Sequence, residues 1–280
     1  MSEIVTFEKL KARISKDPKW RARVVKVAAA INSAGVRQMV WARGLVRMIN
    51  AHTTDRESDR FVYDLPLLHR EIADILERQK KEYTHYSYFY GHPYQSLGIL
   101  GIFGERASDE RFDVYGLAKH VGPDDVVLDI GCNCGFMSIL TAYRTGCRVV
   151  GIDINPYMIE IGRAVARYLR VDDRVELRAE RFQDMQPGSK FSVVFSFATH
   201  WTDDRNYRVE LLHHLGRISE FLRERGLLVF ESHAADVGVE EFYKSMESAR
   251  SMFDYDGRAG YVDNGTRELY LMRKRAEQQA

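Results

Sequence analysis

VVLDIGCNCGF, residues 126–136, is the stretch that decides the fold of this chain. Four of its first five residues are apolar, with Asp129 as the exception, and the residues after Phe136 have the composition of a helix. Gly131 and Gly135 stand between these two parts, where the backbone must turn sharply and a Cβ would oppose a positive φ. The stretch therefore predicts a strand, a tight turn and a helix whose first N–H groups face the turn.

The positions of the glycines distinguish among the nucleotide-like cofactors that such a turn can hold. A dinucleotide site needs Gly-x-Gly-x-x-Gly, but Asn133 and Phe136 stand where the second and third glycines would be. A Walker-type loop needs Gly-Lys followed by Ser or Thr, and the sequence has no such triplet. The remaining pattern resembles motif I of the class I S-adenosylmethionine-dependent methyltransferases, Asp/Glu-x-Gly-x-Gly-x-Gly, with Asn133 replacing the central glycine.

A second strand supports this resemblance. RVVGID, residues 148–153, ends in Asp153, which lies 24 positions after Asp129. In Rossmann-like sheets a carboxylate about 20 residues on reaches the ribose hydroxyls of the adenosine. Asn155 and Pro156 then predict an N-cap and the first residue of a helix. These two motifs identify the chain as a member of that family, which implies S-adenosylmethionine as the cofactor; the alternative is a chance recurrence in an α/β protein that binds another ligand.

The rest of the domain fits the fold that the resemblance implies. This fold is a doubly wound, mostly parallel seven-stranded α/β sheet of Rossmann-like type, with an antiparallel last strand. Further strands are predicted at residues 174–178, 191–197 and 226–232, and the second of these is a nearly continuous apolar run, as expected of a parallel strand covered on both faces. Asn264 followed by Gly265 predicts a hairpin near the C-terminus, where the antiparallel strand belongs.

A helical N-terminal extension, residues 1–110, is predicted to precede the methyltransferase domain at residues 111–280. Its arm, residues 1–51, is basic, since residues 1–50 contain eleven Lys or Arg and three acidic residues, a net charge of +8. Apolar and basic residues are interleaved at helical spacing, so the arm is either a solvated helical face or a platform for an anionic substrate such as RNA. Its apolar stripes need a partner, and a second copy of the chain would give a homo-oligomer through these helices.

An aromatic segment, residues 83–98, has six aromatic rings and two histidines in sixteen residues. In the family that the chain resembles, the segment before motif I commonly folds over the cofactor and lines the substrate cavity. Tyr94 and Gln95 are therefore candidate substrate-binding residues. The alternative is an aromatic packing seam between the extension and the domain.

The resemblance also implies a set of cofactor-binding residues. Residues after the third strand bracket the adenine in the family, which places Arg181 where an Asp is common and Phe182 where an apolar contact lies. Asp184 is a second candidate for the adenine amino group, and Asp153 is the candidate ribose ligand. The full set is Asp129, Gly131, Cys132, Asn133, Gly135, Asp153, Ile154, Arg181, Phe182 and Ser196.

SFATHWTDD, residues 196–204, follows the fourth strand at the sheet edge where doubly wound folds place their reacting groups. His200 is the candidate general base for a hydroxyl acceptor, and His233, after the fifth strand, is its rival. Trp201 is a candidate substrate contact. The predicted reaction is methylation of a hydroxyl on a small molecule or sugar, with RNA modification as the alternative. A structural role for His200, with catalysis by positioning alone, is also open.

Composition excludes several other classes of protein. Cys132 and Cys134 are too close together, and with Cys147 too few, to build a tetrahedral zinc site or an iron–sulfur cluster, so no metal is expected. No stretch approaches the ~20 apolar residues of a membrane span, so no transmembrane segment is expected. The N-terminus has no apolar signal core, and with three cysteines we expect a reducing, cytoplasmic location.

Overall fold

The computed structural model describes residues 65–82, 92–188, 190–201, 209–262 and 265–276. The predictions for the basic arm and for residues 83–91 of the aromatic segment lie outside the described residues. The chain divides into two compact units, residues 1–109 and 110–280. Among the residues that the structure describes, no helix is both long and apolar enough to cross a bilayer.

The described part of the first unit is a long helix followed by two short strands. Helix α1 (Leu65–Glu82) has one buried stripe because its buried residues recur every three or four positions: Leu65, Leu68, His69, Ile72, Ile75, Leu76 and Gln79. His69 lies on this stripe, and its Nε2 is 2.9 Å from the carbonyl oxygen of Leu100. Strands β1 (Gln95–Ser96) and β2 (Arg106–Ala107) pair in parallel.

The second unit is built on one sheet with helices between its strands. The strands are β3 (Val126–Ile130), β4 (Arg148–Asp153), β5 (Val175–Ala179), β6 (Phe191–Phe197), β7 (Leu222–Glu231), β8 (Phe253–Asp254), β9 (Gly260–Val262) and β10 (Arg267–Lys274). The helices, from the boundary between the units onward, are α2 (Ser108–Val114), α3 (Phe136–Thr145), α4 (Pro156–Leu169), α5 (Leu211–Phe221) and α6 (Glu240–Ser248).

The strand order confirms the doubly wound fold. Strands β5, β4, β3, β6 and β7 are parallel neighbours in that order, and β10 joins β7 antiparallel. The structure differs in one detail, because two short strands share the outermost place beside β10. Strand β9 pairs with Arg267–Leu269 and forms the expected hairpin, whereas β8 pairs with Arg273 and Lys274. The turn between β8 and β9 contains Gly257, whose φ is 107°.

The order of the strands also fixes where a ligand can bind. The chain runs outward from β3 to β5 and then returns to the other side of β3 to form β6. A crevice therefore opens between the carboxyl ends of β3 and β6, the switch point at which doubly wound sheets bind ligands. Below it, Leu128, Ile130 and Phe230 pack with α5 and α6 in one apolar core. The alternate residues Asp129 and Gly151 face the opposite way, toward α3.

Candidate active site

Three residues of the loop between β3 and α3 take the left-handed backbone conformation. Their φ angles are 64° at Gly131, 54° at Asn133 and 66° at Gly135. Asparagine is among the few non-glycine residues that adopt this conformation readily, since its short polar side chain tolerates it. The replacement of the central glycine by Asn133 therefore preserves the shape of the turn.

The glycines of the site make room for protein atoms as well as for a ligand. A Cβ on Gly131 would lie 2.6 Å from Thr199 Cγ2, and a Cβ on Gly135 would lie 2.7 Å from Leu177 Cδ2. Gly162 of α4 has the same role, because its Cβ would lie 2.2 Å from the carbonyl oxygen of Cys134. Sequence reasoning missed Gly162, which lets α4 pack directly against the loop.

Asp153 is fixed by backbone donors on both of its oxygens. Oδ2 accepts the N–H of Asn133 at 2.8 Å, and Oδ1 accepts the N–H of Asn155 at 2.9 Å. Asn155 is the expected N-cap of α4, with its Oδ1 accepting the N–H of Tyr157 at 3.1 Å. Because a carboxylate oxygen can accept a second hydrogen bond, Asp153 keeps acceptor capacity toward the pocket.

Asp129 is a buried carboxylate with a raised pKa. Its side chain is 1% exposed, and Oδ2 accepts the hydroxyl of Ser138 at 2.6 Å. Burial raises its pKa to about 7, against the lowering effects of the Ser138 hydrogen bond and of the Arg111 charge. A carboxylate in this condition is stabilised by a cation brought close to it.

Cys132 and Cys134 lie beneath the loop as packing residues. Both side chains are buried and both thiols are free. Burial raises the pKa of each thiol well above its ordinary value. The backbone N–H of Cys132 is donated to the carbonyl oxygen of Ile152 at 2.9 Å. The backbone N–H of Cys132 is thus used within the protein, and its contact with the cofactor stays a prediction.

A pocket lies over this loop at the carboxyl edge of the sheet. Its lining is Ile130, Gly131, Ile152, Asp153, Ile154, Glu180, Phe182, Gln183, Thr199, His200, Val209 and His214. It joins the predicted ribose ligand, the predicted adenine contact Phe182 and the predicted base His200 in one space. Apolar surface from Ile154 and Phe182 beside the Asp153 carboxylate suits a nucleoside, whose base is flat and whose ribose donates hydroxyls.

Arg181, the predicted contact of the adenine amino group, stays a prediction. Arg181 is exposed and outside the pocket lining, as is Asp184, whereas Glu180 and Gln183 line the pocket. Arg217 of α5 determines this arrangement, because its guanidinium donates to the carbonyl oxygens of three residues at 2.6 to 3.1 Å: Phe182, Gln183 and Met185.

Ser196, a predicted cofactor contact, is a buried residue, and its contact with the cofactor stays a prediction. Its hydroxyl lies 2.8 Å from Thr199 Oγ1 and 3.1 Å from His214 Nε2, and its side chain is fully buried. Burial, with a further contribution from His200, lowers the pKa of His214 to about 3, so His214 is neutral near pH 7. Ala198, with a φ of 60°, turns the chain from β6 into the short 3₁₀ helix Thr199–Trp201.

His200 is paired with a carboxylate that sequence reasoning missed. Its Nε2 lies 3.0 Å from Asp236 Oδ2, and both side chains are almost fully buried. The rival His233 lies outside the pocket lining, and burial lowers its pKa. The backbone N–H of His233 donates to the same Asp236 oxygen at 2.6 Å. The structure thus brings the two histidines together through one carboxylate and places only His200 at the pocket.

Glu231, the last residue of β7, is the centre of a buried ion cluster. Its Oε2 accepts from Arg111 Nη2 at 2.8 Å and from the hydroxyl of Tyr115, and its Oε1 accepts from Arg267 Nη1 at 2.7 Å. The charges of Arg111 and Arg267 and the Tyr115 hydrogen bond lower its pKa despite complete burial. The cluster ties α2 and β10 to the end of β7 beside the pocket edge.

The candidate substrate contacts are divided between the described and undescribed parts of the chain. Tyr94 is half-buried and Gln95 is buried in the first unit, where Gln95 pairs with Arg106 between β1 and β2. The backbone of Trp201 lies in the 3₁₀ helix that follows Ala198, and its side chain is outside the described residues. All three remain predictions.

Comparison with known proteins finds similarity to methyltransferases. A family model described as a methyltransferase domain matches residues 122–276. Geranyl diphosphate 2-C-methyltransferase of Streptomyces ambofaciens is 32% identical over 116 residues, 40% of this chain and 38% of that enzyme. The tRNA U34 carboxymethyltransferase of Mannheimia succiniciproducens is 31% identical over 146 residues, 51% of this chain and 43% of that enzyme. The chain therefore spans less than half the length of each of these relatives.

Among solved structures, the [4+2]-cyclase SpnF superposes with a TM-score of 0.52 at 14% identity. The superposition covers 73% of this chain and 94% of that one. At this level of identity the likeness supports the fold alone.

Proposed function

The chain belongs to the methyltransferase domain family and is an S-adenosylmethionine-dependent methyltransferase, and from this premise we propose that its acceptor is a hydroxyl of a small molecule or sugar. Bound S-adenosylmethionine supplies an electrophilic methyl group on a positively charged sulfur. The pocket residues suit it, since Ile154 and Phe182 offer apolar surface to a base and Asp153 offers acceptors to ribose hydroxyls. The buried Asp129 suits its positive charge.

The observation that carries the proposal is the position of His200. It lines the pocket at the end of β6, next to Thr199, and its ring is hydrogen-bonded to a buried carboxylate. A hydroxyl becomes a good nucleophile when a base removes its proton as the new carbon–oxygen bond forms. A neutral imidazole held in place beside the acceptor supplies that base.

The other residues around His200 hold the acceptor in line and keep water out. The His200 side chain is only 4% exposed, and it packs against the ring of Phe230 at a centroid distance of 5.4 Å. Alignment of reactants in such a dry pocket contributes much of the rate of a displacement reaction. His214 is neutral and lines the same pocket, so it adds a polar edge without adding charge.

RNA methylation is the second candidate function. Two observations favour it, the net charge of +8 in residues 1–50 and the similarity to a tRNA U34 carboxymethyltransferase. A chain truncated to begin at Phe61 separates the candidates. If RNA is the substrate, the truncated chain loses salt-dependent RNA retention and methylation together, and it keeps its affinity for S-adenosylmethionine.

The experiment that tests the proposal uses S-adenosylmethionine labelled with ¹³C in the methyl group. The enzyme is incubated separately with the small-molecule fraction and with total RNA of the cells that make it. We expect label in the small-molecule fraction, with the carbon chemical shift of a methyl ether. Label in RNA, or a shift typical of methyl bound to carbon, would reject the hydroxyl acceptor.

The role of His200 is tested on the same substrate. His200→Ala should lower the methyl-transfer rate by roughly 10²–10⁴, with cofactor affinity unchanged. The wild-type rate should fall on acidification, because only a neutral imidazole accepts a proton. His233→Ala separates the two rivals. Near wild-type rates in both variants, with a flat pH profile, would leave positioning alone as the source of catalysis.

A further inference from the structure

We propose that the second unit has an arginine-lined groove along β5 which binds the phosphate backbone of single-stranded RNA. The groove runs along β5 from the amino ends of β3 and β4, and it shares no lining residue with the cofactor pocket. The inference goes beyond the proposed function, since it does not depend on which acceptor receives the methyl group.

The groove exists because one face of the sheet is left open at β4 and β5. Parallel sheets are usually covered by helices on both faces. Helices α3 and α4 pack on one face of these strands, but residues 180–188, which follow β5, form no helix to cover the other. On that open face Arg148 and Glu176 are exposed, and Val126 and Val150 are half-buried. Charged side chains in these positions suit a polar ligand better than an apolar helix.

The lining of the groove is rich in arginine. Its volume is about 540 Å³, within the usual range of ligand sites. Five arginines and three acidic residues give the lining a net charge of +2: Arg148, Arg163, Arg167, Arg174 and Arg178 against Asp172, Asp173 and Glu176. The lining contains no aromatic residue, so it has no ring on which a base could stack. The groove is therefore suited to phosphates and not to bases.

Two of the arginines lie side by side at the amino ends of neighbouring strands. Arg148 is the first residue of β4, and Arg174 directly precedes Val175, which is the partner of Val149 in the sheet. Adjacent strands are only ~4.8 Å apart, and like charges in neighbouring positions are destabilising. Arg174 has an exposed ion pair with Asp173 at 3.7 Å, whereas Arg148 has none among the described residues. A bound anion would remove the repulsion.

A third arginine is held in place at the free edge of β5. Arg163 of α4 donates through Nε and Nη2 to the carbonyl oxygen of Leu177, at 3.0 and 2.6 Å. Because a carbonyl carries no net charge, Arg163 keeps its positive charge and has further N–H groups to donate to a phosphate. The same contact occupies an acceptor of the edge strand, which disfavours an added β-strand as the occupant of the groove.

The length of the groove and its acidic residues favour an RNA strand. Arg174 and Arg178 are four residues apart on β5, roughly 13 Å along the strand, which is longer than one phosphate group. Several phosphates of one chain therefore fit along β5. Asp172 and Glu176 add carboxylate oxygens, which accept hydrogen bonds from hydroxyl groups. RNA carries a 2′-hydroxyl on each sugar and DNA does not.

The closing experiment measures the affinity for a labelled single-stranded RNA of about 20 nucleotides, longer than the usual site of one groove, at several salt concentrations. The full chain is used, because a few phosphate contacts alone give weak binding and residues 1–50 add a charge of +8. Each phosphate contact adds about 0.7 to the slope of log affinity against log salt. Arg148→Ala should lower the slope by about 0.7 and the affinity roughly fivefold near 0.1 M salt.

Two variants control for the charge. Arg148→Lys keeps the positive charge and should keep most of the slope. Arg273→Ala removes the same charge from an exposed position on β10, outside the groove, and should leave the slope unchanged. The affinity for S-adenosylmethionine should be the same in wild type and Arg148→Ala. An unchanged salt slope in Arg148→Ala, or an equal decrease in Arg273→Ala, would overturn the proposal.

Three competitors identify the ligand. Single-stranded DNA of the same sequence and poly-glutamate of the same total charge should displace the labelled RNA less well than unlabelled RNA does. Uridine monophosphate at the same phosphate concentration should not displace it. Equal displacement by DNA, by poly-glutamate or by the mononucleotide would overturn the assignment of the groove to RNA. These outcomes are independent of the acceptor, because the labelling experiment with ¹³C tests the hydroxyl proposal separately.

Discussion

Asp129 and Glu231 are two buried carboxylates at the same edge of the sheet, and their pKa values are shifted in opposite directions. Glu231 is fully buried and has Arg111 and Arg267 at 2.8 and 2.7 Å, which lower its pKa. Asp129 is 1% exposed, accepts the hydroxyl of Ser138, and has no Lys or Arg in ion-pair contact among the described residues. Burial raises its pKa to about 7.

The difference separates a carboxylate that holds the fold from one that forms no ion pair among the described residues. The charge of Glu231 is neutralised by Arg111 and Arg267 of the protein itself. These ion pairs link α2 and β10 to β7. Asp129 belongs to the motif I pattern near the end of β3, and we propose that the charge which compensates it comes with the cofactor. One carboxylate should therefore matter for stability and the other for binding.

The largest expected effect is the loss of stability on removing the Glu231 charge. Glu231→Gln leaves Arg111 and Arg267 largely buried without their anion, which should lower the free energy of unfolding by about 3–5 kcal/mol. Urea unfolding near neutral pH measures it. Glu176→Gln is the control, because its ion pair with Arg178 is exposed and contributes about 0–1 kcal/mol. Equal losses of unfolding free energy in the two variants would contradict the stabilising role of the buried Glu231 charge.

Asp129→Asn should have the opposite effect on stability, because in the protein without cofactor it should raise the free energy of unfolding. The folded-state pKa of Asp129, about 7, is above its ordinary value of 3.8, so the folded protein binds the extra proton between these values. Wild-type stability is therefore lost as pH rises through this window, and the variant escapes the loss. When the pH rises from about 5 to about 8, the free energy of unfolding of Asp129→Asn should therefore increase by roughly 2–3 kcal/mol relative to that of the wild type. Urea unfolding at both pH values checks the gain, and a constant difference would mean that Asp129 is ionised throughout.

Asp153→Ala tests the cofactor side of the comparison. The change removes the acceptor proposed for the ribose hydroxyls and also frees the N–H groups of Asn133 and Asn155. S-adenosylmethionine binding should weaken by about 1.5–3 kcal/mol in calorimetric titration, the range for a hydrogen bond to a charged group. Asp124→Ala is the control, since Asp124 is exposed outside the pocket. Unchanged affinity in a folded Asp153→Ala protein would remove Asp153 from the site.

The smallest expected effects come from removing one hydroxyl donor at each carboxylate. Tyr115→Phe deletes the hydroxyl that donates to Glu231, and Ser138→Ala deletes the one that donates to Asp129. Each should cost about 1–2 kcal/mol of unfolding free energy near pH 8. Near pH 5 the Ser138→Ala cost should shrink, because Asp129 is then protonated, whereas the Tyr115→Phe cost should persist. Equal pH dependence in the two variants would contradict the assignment of the raised pKa to Asp129.

The cofactor half of the site could be predicted because its information is local in the sequence. Gly131, Asn133 and Gly135 impose one turn through their own backbone conformations, and Asp153 ends the strand beside it in the sheet. Parallel pairing brings strand ends to one edge, so two motifs in the right order locate the crevice. The need for a glycine at position 162 was not predicted from the sequence, because it comes from a contact between the interior of α4 and Cys134, in a loop 28 residues earlier.

The acceptor half could be predicted only in part. His200 was identified from its place after β6, but its partner Asp236 is 36 residues away, and Tyr115 is 116 residues from Glu231. Such contacts depend on how separate elements meet and leave no periodicity in the sequence. The conformation of the chain around Phe182 was equally hard to predict, because Arg217 of α5 binds the carbonyl oxygens of Phe182 and Gln183 from a distant element.

We propose that Asp129 is the buried charge which the cofactor neutralises, and the pH dependence of cofactor affinity tests this proposal most directly. Binding of a cation must displace the proton that Asp129 carries below its pKa of about 7. The affinity of the wild type for S-adenosylmethionine should therefore rise by roughly tenfold from about pH 6 to about pH 8, measured by calorimetric titration. Asp129→Asn should bind more weakly and lose this rise. The same rise in both proteins would contradict the claim.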